Sequence, residues 1–511
     1  MSKKFTSTVA GASILLTVVG LLSRGLGLIR EIVFAGSFGL SKEYDLFLVG
    51  TVIPLTINTI ILYIAQNYFI PLYNRLKLKS PEEAKAFIFK SLLMFISGGV
   101  LVLLLIFLFS FQIIEVYLKN PDMAETATAV KVLRIYAFSI PLNAAFSILA
   151  AFLYSEFDFK LPTFSQLLVN IVVIISVIFL SGKTGVVSIA IGYLIGIILQ
   201  MSFTIIYIIK TKFHILRIKG GGTKLFYWDS GLILIIIIES LSQVYLISDR
   251  YFVSEVAKGG IAALNYSMNI FMLPITVISA ALSTALFPSF SKSFVENNVN
   301  EIIGKLTKFF SLNLYLFIPL TFLFFFFGDV IIIILFQRGV FSSNDSIMTF
   351  ETLKYFSISL IFYSGYAILN KIIYSMEFIK ELLLITLIGC TIKVFGNLVF
   401  VGYFRQDGLA LSSSISYIFF FISSLMLVRK KLHFNINSIF LYKLVFILFN
   451  AFLALLISRI LVPGIIKADL PANLIQISQM LVFLLVFFVN SFLTETEKIF
   501  SLPRKFSFRN F

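Results

Sequence analysis

Long apolar runs follow one another along the whole chain, and they constrain its fold more than any other feature. A helix needs about 20 mostly apolar residues to cross a bilayer. Fourteen such runs lie between charged or Gly/Pro-marked breaks, at 8–36, 45–73, 87–117, 129–154, 163–181, 185–209, 230–254, 262–290, 308–327, 347–375, 382–403, 408–428, 441–462 and 471–493. The short run 328–336 is predicted to extend the ninth helix or to form an interfacial turn. The sequence therefore predicts an all-α, polytopic membrane protein with about fourteen transmembrane helices.

The composition excludes a water-soluble enzyme. Of the 511 residues, 59% are hydrophobic and 13% are charged, whereas a soluble globular chain is about 45–50% apolar and about 25% charged. The single cysteine, Cys390, excludes an internal disulfide. No P-loop is present, and neither His214 nor His433 has the spacing of a metal site. We therefore expect no cofactor.

The positive charges indicate an orientation. The formal net charge is +16, and Lys and Arg concentrate on alternate loops, as on the cytoplasmic side of membrane proteins. Lys3 and Lys4 then place the N-terminus inside, and the even helix count places the C-terminus inside too. This distribution explains the basic balance without nucleic acid, which we do not expect as a partner.

Residues 220 positions apart match repeatedly, which predicts a duplicated unit. The polar and proline matches at this offset are Arg30 with Arg250, Pro54 with Pro274, Arg134 with Lys354, Ser139 with Ser359, Tyr154-Ser155 with Tyr374-Ser375, and Lys160 with Lys380. We predict two six-helix lobes, 1–219 and 220–431, related by an axis along the membrane normal. Two extra helices and a basic tail would fill 432–511, and Gly220-Gly221-Gly222 reads as a linker.

Charged residues inside the apolar runs are the candidates for function, because each costs roughly 2.5–3.5 kcal/mol to place at the bilayer centre. The first run holds Arg24, Arg30 and Glu31. Two arginines against one carboxylate leave a surplus positive charge, which favours an anionic ligand. A purely structural ion pair is the alternative.

The seventh run carries Glu239, Asp249 and Arg250. Glu239 and Asp249 are candidates for coupling to a cation or proton, and Arg250 is a weaker ligand candidate at the outer mouth. The alternative for Glu239 is a buried pair with a basic residue such as Lys393 or Lys371.

Further candidates lie in the second and eighth runs. Asp45 is either a ligand residue or a carboxylate favoured by the positive end of its helix. Pro54 and Pro274 predict kinks that a moving lobe can use as hinges. Asn269 offers polar lining, or a hydrogen bond between helices.

Several motifs resemble the MviN/MurJ family of lipid II flippases, within the multidrug/oligosaccharidyl-lipid/polysaccharide exporter superfamily. The resemblance lies in Leu22-Ser23-Arg24-Gly25-Leu26-Gly27-Leu28-Ile29-Arg30-Glu31, Phe38-Gly39, Tyr44-Asp45-Leu46-Phe47, Asp249-Arg250, Asn265-Tyr266 through Pro274, the segment 286–294 around Pro288, and Leu335-Phe336-Gln337-Arg338-Gly339-Val340-Phe341. It covers most of the chain.

The resemblance implies two six-helix lobes around a cationic cavity, with two more helices beside a lipid groove. Arg24 and Arg30 match family cavity arginines, and Asp45 matches a family acidic position. The family pattern also has an arginine in the second helix and another just before the eighth-helix proline. Here 46–74 contains no arginine and Asn269 stands in the latter place, so the expected cavity is less cationic.

The residues and the resemblance together predict a flippase that moves a polyprenyl-diphosphate-linked saccharide, foremost lipid II, from the inner to the outer leaflet by alternating access. Another lipid-linked polysaccharide unit and a drug/cation antiporter are the alternatives, although surplus arginine argues against the latter. A membrane-embedded transferase would need an acid/base site that the sequence lacks.

The predicted function has consequences for coupling, location and partners. We expect transport to be coupled to the membrane potential, Na+ or H+, and the protein to lie in the bacterial plasma (inner) membrane. The expected partners are the lipid-linked glycan and membrane lipids, with other cell-wall synthesis proteins left open.

Overall fold

The computed structural model describes residues 9–216, 230–279, 296, 299–376, 378–432, 438–465 and 471–494. The first half of the chain forms α1 (Val9–Phe38), α2 (Lys42–Ile64), α3 (Ile70–Lys79), α4 (Pro81–Leu108), α5 (Ser110–Glu115), α6 (Met123–Ala137), α7 (Ser139–Ser155), α8 (Lys160–Thr184) and α9 (Val187–Leu216). The second half forms α10 (Ser230–Tyr251), α11 (Gly260–Pro274), α12 (Val299–Phe336), α13 (Ser343–Ser357), α14 (Leu360–Ser375), α15 (Ile379–Phe404), α16 (Gln406–Leu432), α17 (Ser438–Ile465) and α18 (Ala472–Leu493). Each predicted apolar run coincides with one of these helices, a consecutive pair, or a described part of it.

The structure confirms an all-helical, multi-pass fold. Within the described residues, eleven helical stretches are long and apolar enough to cross a membrane, or twelve if the bent pair α13 and α14 forms one span. The count of about fourteen therefore stays a prediction. The run 328–336 continues α12 beyond a kink at Phe327, as predicted.

The chain divides into two compact units. The N-terminal unit comprises Met1–Ala262 together with the short segment Arg338–Ser342, and the C-terminal unit comprises Ala263–Gln337 and Ser343–Phe511. This division concerns packing alone, and the three predicted domains 1–219, 220–431 and 432–511 stay predictions. The linker at 220–222 and the Pro288 segment lie outside the described residues.

The offset of 220 residues recurs in the structure of the two units. The break between α6 and α7 lies at Phe138, and the break between α13 and α14 includes Ile358. Ser139 donates to the carbonyl of Tyr136, as Ser359 donates to that of Phe356. Because these local details coincide at one offset, each unit contains the same helix-break-helix motif.

The cores of the two units repeat at the same offset. Buried apolar residues of the N-terminal unit include Ile148, Leu149, Phe152, Leu153 and Ile208. Their counterparts, each 220 residues further along, are Ile368, Leu369, Ile372, Ile373 and Val428, which form one buried cluster of the C-terminal unit. Because lipid is as apolar as these side chains, they hold the helices together through van der Waals packing.

Two closely packed helix pairs, one in each unit, also match at the offset of 220 residues. In α8 and α9, Gly192 lies against Ser176, and a Cβ at Gly192 would come within 2.5 Å of the serine Cβ. In α15 and α16 the equivalent positions are Gly396 and Ser412, so glycine and serine exchange places. Small residues let helix backbones approach closely in a membrane, and one glycine per pair is sufficient here.

Candidate functional site

Arg30 and Glu31 form an ion pair in α1. The Arg30 Nη2 lies 2.8 Å from Glu31 Oε1, and Nη1 donates to Asn170 Oδ1 of α8 at 3.1 Å. The Arg30 side chain keeps 35% of its surface exposed, whereas that of Glu31 keeps 7%. The carboxylate is therefore fixed inside the unit, and the guanidinium lies at the edge of the packing with donors left over.

A group of amide and tyrosine side chains lies next to this pair. We call Asn58, Tyr136, Asn143 and Tyr193 the amide–tyrosine cluster. The rings of Tyr136 and Tyr193 stack with centroids 4.4 Å apart, and Asn143 donates to the Tyr193 hydroxyl at 3.4 Å. Both tyrosines lie within electrostatic reach of Arg30.

Two buried side-chain oxygens lack a hydrogen-bond partner among the described residues. One is Glu31 Oε2 of the ion pair, and the other is Asn58 Oδ1 of the amide–tyrosine cluster. The other half of the Asn58 amide donates to Ser139 at 2.9 Å. A buried acceptor without a donor costs about 1–3 kcal/mol, so both atoms are suited to accept a hydrogen bond from a ligand or water.

Arg24 has a different environment from Arg30. It lies about 9 Å away along the axis of α1, at 1.5 Å per residue, and its side chain is exposed. It has no hydrogen bond or ion pair with the residues that the structure describes. Of the two predicted cavity arginines, Arg24 therefore carries the uncompensated charge, and Arg30 shares its charge with Glu31.

Asp45 holds two helices together. It lies in the first turn of α2, which Ser41 caps by accepting from the backbone N–H of Tyr44 at 3.2 Å. The buried Asp45 carboxylate accepts from the N–H of Gly259 at 2.8 Å and from that of Ala262 at 2.7 Å. Its oxygens thus bind the start of α11, which supports the structural interpretation of this residue more than a ligand role.

The other predicted residues, Arg250, Glu239 and Asn269, have surroundings of their own. Arg250 is buried, with Asp249 and Asp45 among its charged neighbours. Glu239 is half-buried on α10 and accepts from Ser242 at 3.3 Å. Asn269 is half-buried on α11. Ligand and coupling roles for these residues stay predictions.

The ammonium group of Lys393, suggested as a partner for Glu239, is engaged inside the C-terminal unit. It is fully buried in α15 and donates to Leu409 O at 2.8 Å and to Ser413 Oγ at 2.7 Å, both on α16. Lys371 is exposed on α14.

The two predicted hinge prolines differ in their surroundings. Pro54 is buried within α2, which runs into a π-helical turn at Ala65–Phe69. Pro274 ends α11 and is followed at once by a π-helical turn at Ile275–Ser279. Such turns mark irregular, often functional, points in helices, but a hinge motion stays a prediction.

A cavity of about 290 Å³ lies where α2, the loop after α5 and the segment after α10 meet. Lys42, Lys119 and Lys258 line it, and the first two form ion pairs with Glu125 and Glu255. The hydrogen bond to Glu255 raises the pKa of the Lys119 ammonium. This cavity therefore holds mostly compensated charge.

Sequence reasoning missed four of these residues: Asn170, Tyr136, Asn143 and Tyr193. Each of these residues is a single polar group in an apolar run, and membrane helices contain many of those for packing reasons. Only the fold shows that Asn170 accepts a hydrogen bond from Arg30 and that the two tyrosines lie near it. The run 163–181 contains two amide side chains, Gln166 and Asn170. Such a polar group in an apolar run was the only sequence signal for a partner of Arg30.

The model of the lipid II flippase MurJ family matches residues 34–494. The chain belongs to the lipid II flippase MurJ family. Curated relatives agree: the probable lipid II flippase MurJ of Buchnera aphidicola subsp. Acyrthosiphon pisum is 28% identical over 81% of this chain and 83% of its own length. The lipid II flippase MurJ of Thermosipho africanus is 26% identical over 79% of this chain and 82% of its own.

Solved structures show the same fold. A lipid II flippase MurJ in an inward closed conformation covers 95% of this chain and 100% of its own, with a TM-score of 0.79 and 23% identity. An inward-facing multidrug transporter of the MATE family in the MOP superfamily covers 82% and 98%, with a TM-score of 0.65 and 14% identity. The MurJ family assignment thus rests on sequence, and the MATE transporter shares the helical fold.

Proposed function

We propose that this protein is a flippase that carries lipid II from the inner to the outer leaflet by alternating access. The observation that supports this most strongly is the family match over residues 34–494. The chain would act as a transporter and not as an enzyme. Its place would be the bacterial plasma membrane, with both termini in the cytoplasm and with other cell-wall synthesis proteins as further partners.

The proposed anion site is formed by Arg24 and Arg30. A diphosphate is compact and multiply charged, and guanidinium groups bind phosphate oxygens through paired, charge-assisted hydrogen bonds. Arg24 offers a charge without a carboxylate partner among the described residues. Arg30, one-third exposed, offers donors beyond those that Glu31 and Asn170 use.

The proposed cycle needs a state-dependent contact. Substrate shifts the equilibrium between inward-open and outward-open states only if it binds the two with different affinity. We propose that Glu239 and Asp249 couple this equilibrium to the membrane potential, Na+ or H+. Arg250 and Asn269 would line the path, and Pro54 and Pro274 would provide its hinges.

The test of the function is depletion of the protein in its native host, followed by identification of the lipid-linked intermediate that accumulates in the inner leaflet. We expect lipid II to accumulate there and external accessibility of lipid II to fall. Accumulation of a different lipid-linked glycan would replace lipid II as the substrate. Normal leaflet distribution of all such lipids would reject the flippase function.

A further inference from the structure

A saccharide-binding subsite is the further feature that the N-terminal unit supports. We propose that the amide–tyrosine cluster, together with Glu31, binds the sugar portion of the lipid-linked substrate. This inference rests on the proposed function, which supplies a substrate with a polyprenyl tail, a diphosphate and a saccharide. The saccharide would then lie beside the proposed anion site.

The two unpartnered atoms determine which part of the substrate they can bind. Glu31 Oε2 and Asn58 Oδ1 are both acceptors, so each needs a donor. A diphosphate at neutral pH offers acceptor oxygens, and a polyprenyl chain offers neither donor nor acceptor. Sugar hydroxyls, and the N–H of an acetamido substituent, are donors. Of the three parts, only the saccharide carries such donors. A peptide attached to the saccharide would also carry N–H donors, but it would lie further from the diphosphate.

The surrounding side chains complete a site of the kind that small polar ligands use. Such sites combine apolar or aromatic surface with a few convergent polar groups. Tyr136 is buried and stacks on Tyr193, which keeps part of its surface exposed. Asn143 donates to the hydroxyl of Tyr193 and is itself only partly buried. The tyrosine pair provides a rigid aromatic surface for the apolar face of a sugar ring.

The position of the cluster fits the order of the groups along the substrate. Tyr136 and Tyr193 both lie within electrostatic reach of Arg30. The saccharide is attached directly to the diphosphate, so a diphosphate at Arg30 brings the first sugar to the neighbouring side chains. Five helices contribute to this arrangement: α1, α2, α6, α7 and α9.

The test is equilibrium binding of two lipid probes to the purified full-length chain. One probe is a polyprenyl diphosphate, and the other is the same lipid with an N-acetylated disaccharide and no peptide. We expect Asn58→Leu and Tyr193→Leu each to weaken binding of the glycosylated probe by about tenfold, the loss of one or two hydrogen bonds. Binding of the bare diphosphate should change by less than about twofold.

The control is Thr59→Val on the same helix, which removes the hydrogen bond from Thr59 to the carbonyl of Leu55. It should leave both affinities at the wild-type value. Asn58→Asp, which keeps the acceptor, should retain more affinity for the glycosylated probe than Asn58→Leu does. This comparison separates loss of the acceptor from disturbed packing.

Other outcomes overturn the subsite. Equal weakening of both probes would mean that the cluster supports the anion site or the fold. Unchanged binding of both would mean that water satisfies the two acceptors. A loss seen only with a peptide-bearing lipid would assign the cluster to the peptide. Failure of the proposed function is distinguishable, because there Arg30→Ala would leave both probes bound with full affinity.

Discussion

At the scale of single residues, the ion pair between Arg30 and Glu31 determines which arginine of α1 carries uncompensated charge. The sequence identifies both residues and the surplus of positive charge. It does not show that Glu31 is buried and takes up one edge of the guanidinium, because adjacent side chains on a helix usually point in different directions. The free charge of α1 therefore lies mainly at Arg24.

The first prediction concerns Glu31→Gln. Removing the carboxylate leaves Arg30 without its intramolecular anion, so binding of a polyprenyl diphosphate should strengthen by a few-fold to about tenfold. Equilibrium binding to the purified chain measures this. Glu125→Gln, which breaks the Lys42 ion pair instead, is the matched control and should leave affinity unchanged. Weaker binding in Glu31→Gln would show that Glu31 orients Arg30 more than it competes for it.

The second prediction concerns Asp45. Asp45→Ala leaves the N–H groups of Gly259 and Ala262 without their acceptor, so it should destabilise the protein by about 1–3 kcal/mol for each group that water does not reach. Asp45→Asn keeps one acceptor and should cost less. Thermal unfolding in detergent measures both.

The control for this prediction is Asp122→Ala. It removes a single exposed helix cap, in which the Asp122 side chain accepts a hydrogen bond from the N–H of Glu125. It should lower stability by only about 0.5–2 kcal/mol. If Asp45→Ala unfolds at the wild-type temperature and loses only substrate binding, Asp45 is a ligand residue after all.

The third prediction concerns Gly339. Its φ is +59°, and a Cβ there would overlap the carbonyl oxygen of Gly36, while the neighbouring N–H of Val340 donates to that same oxygen at 3.0 Å. Gly339→Ala should therefore lower stability by at least about 1–2 kcal/mol. Gly98→Ala in α4, where a Cβ meets nothing within 4 Å, should be neutral or slightly stabilising. Equal unfolding temperatures for the two variants would contradict the contact.

At the scale of secondary-structure elements, the sequence predicts where helices lie better than where they break. Apolar runs correspond to helices because membrane-embedded backbone must satisfy its own hydrogen bonds. The breaks near Phe138 and Ile358 have no proline or glycine at the break itself. They depend on tertiary packing, so a hydropathy pattern cannot show them. The kink at Phe327 is different, because Gly328 follows it and the apolar runs of the sequence divide there.

The fourth prediction uses the exchanged glycine and serine of the two helix pairs. Gly192→Ser places a second hydroxymethyl group against Ser176 and should destabilise α8–α9. Adding Ser176→Gly copies the arrangement at Gly396 and Ser412 and should restore stability, with a coupling energy of about 0.5–3 kcal/mol in a double-mutant cycle. Unfolding temperatures of the two single variants and the double variant give this energy.

The matched control is Gly182→Ser on α8, where a Cβ meets nothing within 4 Å. It should have little effect and no coupling to Ser176→Gly. Strict additivity of the Gly192 and Ser176 variants would contradict the proposed equivalence of the two helix pairs.

At the scale of the whole molecule, internal duplication was visible in the sequence from a few polar and proline matches. The structure extends it to buried core positions, to a shared serine hydrogen bond and to two positive-φ residues, Gly185 and Arg405, that end equivalent helices. In a chain that is 59% hydrophobic, two positions often hold apolar residues by chance. Apolar matches alone therefore could not reveal the repeated core. The candidate site breaks the symmetry, because Tyr251 stands where the first copy has Glu31 and Ile278 stands where it has Asn58.

The central claim is that the arginines of α1 carry a diphosphate-linked substrate across the membrane. The most direct measurement is leaflet accessibility of a labelled lipid II in vesicles that contain the purified protein. We predict that wild-type protein moves the lipid, that Arg24→Ala combined with Arg30→Ala abolishes movement, and that Arg24→Lys with Arg30→Lys retains part of it. Full movement by the double alanine variant, at the same protein content, would contradict the claim.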